Sequence, residues 1–129
     1  MLITAVLLTG CSASATEEPG PAEEPLPNAE SCDAFETTTR DLAKRMVEGS
    51  DSTNSEEFME TMNGMRGRFD EAALRGTGDV KERIGTLVEN LPGKVHMLFL
   101  QHDRYFEDVA SVSRACEADG TPINPIIWG

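Results

Sequence analysis

A chain of 129 residues with 39% hydrophobic but only 5% aromatic content is sized for one small domain, and the shortage of aromatic residues favours helices over a β-sandwich. Its net charge of −12 repels phosphate backbones and anionic head groups, which argues against nucleic-acid binding and against a polybasic hold on a membrane surface. The surplus carboxylates read as a solvated face.

Residues 2–8, Leu-Ile-Thr-Ala-Val-Leu-Leu, form an apolar run that stops at Thr9, Gly10 and Cys11. The run is far short of the roughly 20 residues that span a bilayer and suits the apolar region of a secretory leader. Leu8-Thr9-Gly10-Cys11 resembles the lipobox of bacterial lipoproteins, with the apolar run before it and a Ser/Ala/Glu/Pro-rich stretch after it. The resemblance implies that residues 1–10 are a signal peptide removed ahead of Cys11. It also implies that the Cys11 sulfur carries a diacyl lipid of the palmitate kind, and that the new amino terminus is often acylated too. Leaders of this type open on Lys or Arg, whereas this chain opens Met1-Leu2, which points to a start further upstream. Two or three acyl chains anchor stably where one is marginal. The expectation is therefore a protein tethered to the extracytoplasmic face of the cell membrane.

Residues 11–31 hold Pro19, Pro21, Pro25 and Pro27 together with Glu17, Glu18, Glu23, Glu24 and Glu30, and their one large aliphatic residue is Leu26. Such a segment buries too little apolar surface to offset its ordering entropy, so a disordered, charge-extended spacer is expected. Fully extended it would reach about 60 Å at about 3.1 Å per residue. With Cys11 lipidated as the resemblance implies, Cys32 and Cys116 remain as an even pair in an oxidising space, and a disulfide is the expected outcome. It would close a loop of about 85 residues, worth about 4.5 kcal/mol in the chain-entropy picture.

The folded domain is expected at 32–119. A first helix from Cys32 to Glu48, capped by Ser31, carries the seam Cys32, Phe35, Thr39, Leu42, Met46. A polar loop over 49–53 breaks it, and Asn54 with Glu57 forms a capping signature for a second helix with the seam Phe58, Met62, Met65, Phe69 and Ala72 or Ala73. Gly64 and Gly67 within that helix suggest a bend or the close approach of another helix. After Gly76-Thr77-Gly78, Asp79 and Glu82 repeat the signature for a third helix, with Val80, Ile84, Leu87, Val88 and Leu91 facing inward, stopped by Pro92-Gly93. A fourth runs from Val95 through Leu98, His102, Tyr105, Val109 and Val112 to Cys116, flanked by Phe99 and Phe106; its first six residues are apolar all round and fit a linker as well.

A disulfide needs its two Cα atoms within about 7 Å. Cys32 opens the first helix and Cys116 closes the last, so an up-and-down arrangement brings them together only with an even number of helices. Three full-length helices would leave them on the order of 25 Å apart. The expected fold is thus all-α: an antiparallel up-and-down four-helix bundle closed by one disulfide. The tail, 120–129, contains Pro122 and Pro125 and is not expected to be helical. Its Ile123, Ile126, Ile127 and Trp128 either fold back over the bundle or, with Ile126, Ile127 and Trp128 exposed, form a handle for an envelope protein partner.

No catalytic constellation is visible. His96 and His102 project about 120° apart on a helix, so they cannot share a metal as an i, i+4 pair does. The Glu-x-x-His pattern of di-iron bundles fails at both, since Gly93 and Phe99 stand three residues before them. Met59, Met62 and Met65 with His102 form a possible soft-metal or haem set for Cu(I) or iron, against the plainer reading of methionine as core filler. Asp103, Arg104, Glu107 and Asp108 read as a solvated polar side of the last helix. The lipobox, the acidic Pro-rich spacer and the short domain bounded by two cysteines resemble the small secreted helical lipoproteins of high-GC Gram-positive bacteria. That resemblance implies a location rather than a reaction: a non-enzymatic binding module of the cell envelope, with Cu or haem binding as the alternative.

Overall fold

The computed structural model describes residues 26–48 and 55–128. The expected signal peptide, Cys11 and most of the expected tether lie outside the described residues. Within them the chain is all-helical: α1 (Ala29–Glu48), α2 (Glu56–Leu74), α3 (Gly78–Asn90), a 3₁₀ helix (Val95–Leu100) and α4 (His102–Ala118). No strand occurs among the described residues.

The apolar seams read from the sequence are the core. Phe35, Leu42, Met62, Phe69, Val80, Ile84, Leu87, Leu98 and Val112 are essentially inaccessible, and Met46, Ala73 and Val88 pack against them. Burying each large side chain of this set contributes about 1.5–3 kcal/mol. α1 packs on α2, α2 on α3 and α3 on α4, while the 3₁₀ helix lies against α2. Phe35 and Phe69 meet at 5.6 Å between ring centroids, joining α1 to α2 at the centre, and Phe69 meets Tyr105 of α4 edge-on at 6.3 Å.

Helix boundaries depart from the sequence reading in four places. α1 starts at Ala29, so residues 29–31 belong to the folded domain and not to the spacer. Ser31, expected as its cap, is fully buried inside the helix, and its hydroxyl donates to the Ala72 carbonyl at 2.6 Å. The N-cap of α2 is Ser55, whose side chain accepts from the Phe58 N–H at 3.1 Å; Asn54 lies outside the described residues. α3 begins after Thr77, which makes no side-chain cap bond, and Asp79 sits within the first turn, paired with Arg83 at 3.8 Å.

The fourth departure is at α4, which starts at His102 and not at Val95. A 3₁₀ helix repeats every three residues, so Val95 and Leu98 stack on one line and both reach the core. The backbone at Gln101, φ −149° and ψ 45°, then separates this segment from α4. Gly64 and Gly67 lie within the continuous helix α2 and receive no close neighbour; a side chain at either would meet open space.

One end of the molecule is bound together by polar groups. Asn28 Oδ1 accepts from the Thr77 N–H at 2.8 Å, and Asn28 Nδ2 donates to Asp119 at 2.6 Å. Cys32 and Cys116 are disulfide-bonded beside them, with Cα atoms 6.0 Å apart. The start of α1, the α2–α3 turn and the end of α4 therefore meet here. Gly76 permits it: a Cβ there would lie 2.6 Å from Ser31 Oγ and 3.2 Å from Asn28 Oδ1. Elsewhere Arg66 reaches from α2 to the end of α3, donating to the carbonyls of Val88 at 3.0 Å and Pro92 at 2.5 Å. The Val88 carbonyl, in the last turn of α3, also accepts from the Leu91 N–H, and the Pro92 carbonyl lies just past the helix end.

Candidate functional site

The site is built where α4 ends. Gly120 adopts φ +88°, the left-handed conformation that favours glycine. With it, the N–H of Thr121 donates to the Cys116 carbonyl at 2.9 Å and that of Gly120 to Glu117 at 3.0 Å. This is a Schellman stop, and it sends the chain back along the helices. The segment 121–128 has no regular structure and runs over the seam between α1 and α4, where those two helices make little contact of their own.

Two devices hold the tail. Glu36 Oε2 accepts from the Asn124 N–H at 2.8 Å and from Arg40 Nη2 at 3.2 Å, while Arg40 Nη2 also donates to the Asn124 carbonyl at 3.3 Å. One i, i+4 pair on α1 thus satisfies both backbone groups of Asn124. Further on, Trp128 stacks on Tyr105 at 5.6 Å and lies edge-on to Phe106 at 4.9 Å, with His102 at 6.4 Å. Ile123 and Trp128 are partly buried against the core. Trp128 is therefore a clamp on the bundle and not a free handle; Ile126 and Ile127, each 49% exposed, are what the tail presents outward.

Between tail and helix lies a groove of about 380 Å³ whose walls are Ala43 and Val47 of α1 and Ile126, Ile127 and Trp128 of the tail. Val47 is 64% exposed. Arg40, Asp41 and Lys44 form the rim. Arg40 is engaged by Glu36 and Asn124, and Asp41 accepts from Arg68 at 2.8 Å. Lys44 is exposed, and among the described residues no carboxylate lies within ion-pair distance of it. Two other hollows of about 270 Å³ along α1 and α2 are lined largely by polar and charged side chains, among them Arg68, Glu71 and Arg75 in one and Arg45 and Glu48 in the other.

The residues singled out from sequence fall as follows. Cys32 and Cys116 are joined, and Cys11 is outside the described residues. Met62 and Met65 are buried in the core and Met59 is half-buried on the same helix; the Met65 thioether accepts from Arg68 at 3.7 Å. His102 opens α4 with its ring against Phe106 at 5.1 Å and its Nδ1 3.2 Å from the Asp103 carboxylate. Among the described residues no group of three His, Cys, Asp or Glu side chains is arranged to hold a metal ion. Asp103, Arg104 and Glu107 are exposed as expected, but Asp108 accepts from Asn90 at 3.0 Å and ties α4 to α3.

Sequence reasoning missed Glu36, Arg40, Lys44 and Val47. The available signal was Val47 itself, a large aliphatic residue off the α1 seam. Burial pushes the Tyr105 phenol well above its ordinary range, and its hydroxyl has no hydrogen-bond partner among the described residues. No helix among the described residues is long and apolar enough to cross a membrane. Set against protein-family models, curated proteins and solved structures, the chain matches none.

Proposed function

We propose that the chain is an exported envelope lipoprotein: a non-enzymatic binding module held to the outer face of the cell membrane by lipid on Cys11, with the α1–tail groove as its binding surface. The observation that carries this reading is the joining of Cys32 and Cys116 across the domain. A structural disulfide suits an oxidising compartment, and the pairing leaves Cys11 as the one cysteine available for acylation, at the end of an apolar run and ahead of an acidic Pro-rich stretch. We further read the four α-helices as an up-and-down antiparallel bundle. The sequential packing of α1 on α2, α2 on α3 and α3 on α4 supports it, as does the meeting of the start of α1 and the end of α4 at the disulfide.

The test is intact mass and fractionation of the protein recovered from its native cells. The expected product begins at Cys11, carries two or three acyl chains and sediments with membranes, while Cys11→Ser stays soluble. An unprocessed polypeptide with a free thiol at Cys11 would overturn the reading.

A further inference from the structure

We infer that the α1–tail groove binds a long-chain fatty carboxylate, with the chain between Val47 and the Ile126, Ile127, Trp128 wall and the head group on Lys44. The inference rests on the reading of this groove as the binding surface and gives it a ligand.

Three observations carry it. Three of the wall residues are aliphatic side chains left open by the fold, Val47 at 64% and Ile126 and Ile127 at 49% each, beside the partly buried Trp128, a surface that gains free energy when an apolar chain covers it. The volume of about 380 Å³ falls at the low end of small-ligand sites, roughly 300–1,000 Å³. Among the described residues its rim has one charge without an ion-pair partner, that of Lys44, which also borders the neighbouring hollow beside Glu48. Arg40 and Asp41 are already engaged by Glu36 and Arg68, so Lys44 is the cation left to face an incoming group. A neutral or cationic amphiphile would cover the walls and leave that ammonium partly desolvated and without a counter-charge, whereas a carboxylate supplies one.

The chain has a single tryptophan, Trp128, and it forms part of the groove wall, so its fluorescence reports occupancy directly. The full-length oxidised chain carrying Cys11→Ser, which has no acyl group of its own, is titrated with a dibrominated stearate below its critical micelle concentration. Saturable quenching is expected. The matching dibrominated alcohol and the Lys44→Glu variant should each bind at least 10-fold more weakly, and Val47→Asp should abolish saturation. Both substituted residues are exposed, and an unchanged helical circular dichroism spectrum verifies that each variant is folded. Quenching that never saturates, equal binding of acid and alcohol, or an unaffected Lys44→Glu variant overturns the inference. A photocrosslinker at position 47 separates the two levels. If quenching fails while a protein partner is captured through position 47, the groove remains a binding surface and only the ligand is wrong; if both fail, the binding-surface reading falls as well.

Discussion

Tyr105 concentrates the conflict between burial and polarity at the level of single residues. Its ring is needed, because it connects Phe69 in the core to Phe106 and Trp128 at the tail. Its hydroxyl is enclosed with no partner among the described residues, an arrangement that costs about 1–3 kcal/mol relative to a solvated phenol. Tyr105→Phe should therefore leave stability at neutral pH unchanged or raise it by about 1 kcal/mol. The pH dependence has a definite sign. The phenol stays protonated in the folded protein above the pKa of 10.0 at which it ionises when unfolded, so the unfolded state binds fewer protons there and stability falls as pH rises. Below pH 10 the wild-type and Phe proteins should run parallel in urea titrations. Above it the wild type should lose about 1.4 kcal/mol per pH unit relative to the variant; curves that stay parallel would place the phenol in water.

Gly76 is the complementary case, a residue whose value is the side chain it lacks. Gly76→Ala sets a methyl group against Ser31 Oγ and Asn28 Oδ1, and the resulting shift should cost about 1–3 kcal/mol by chemical denaturation. Neither residue's importance shows in the sequence. Tyr105 reads there as one more seam position, and Gly76 reads as half of a helix stop.

Among the elements, the helices and the tail obey different rules. Each α-helix is specified by its own apolar period, which is why Cys32, Phe35, Thr39 and Leu42, or Phe58, Met62, Met65 and Phe69, are buried as a set. Capping was less legible. Several Ser, Thr, Asn and Asp residues stand near the starts of α1, α2 and α3, and the choice among them depends on which is drawn elsewhere: Asn28 is taken by the α2–α3 turn and Ser31 by the Ala72 carbonyl of α2. The tail has no period at all. Its path is set by the Gly120 stop, by Glu36 and Arg40 on Asn124, and by Trp128 in the aromatic cluster. Trp128→Ala should cost about 2 kcal/mol, because a half-buried indole stacked on Tyr105 and edge-on to Phe106 and His102 is removed. Ile127→Ser, at a position half open to solvent, should stay within about 0.5 kcal/mol. Thermal melts of the two variants distinguish a clamped tail from a loose one, since equal melting temperatures would mean that Trp128 holds nothing.

For the whole molecule, the disulfide and the tail close the same seam in sequence. The bridge joins the ends of α1 and α4, and the tail fills the gap beyond it where the two helices lie too far apart to pack fully on each other. Replacing both Cys32 and Cys116 by Ser should lower stability by about 2–4 kcal/mol, read from urea midpoints, while leaving helical content intact. Loss of folded structure altogether would show that the helices lack a self-sufficient core.

From the sequence alone follow the all-helical class, the seams that become the core and the pairing of Cys32 with Cys116. The first two are local, a period along one segment; the pairing follows from the count of thiols only with Cys11 set aside, as the lipobox resemblance implies. Only the tertiary structure decided where Asn28 and Ser31 bond, how the 3₁₀ segment splits from α4, and which way the tail runs, and with it the groove rimmed by Lys44. A polar side chain or an aperiodic tail has many partners that would satisfy it, and the one it takes is fixed only when distant surfaces are brought within about 3 Å of it.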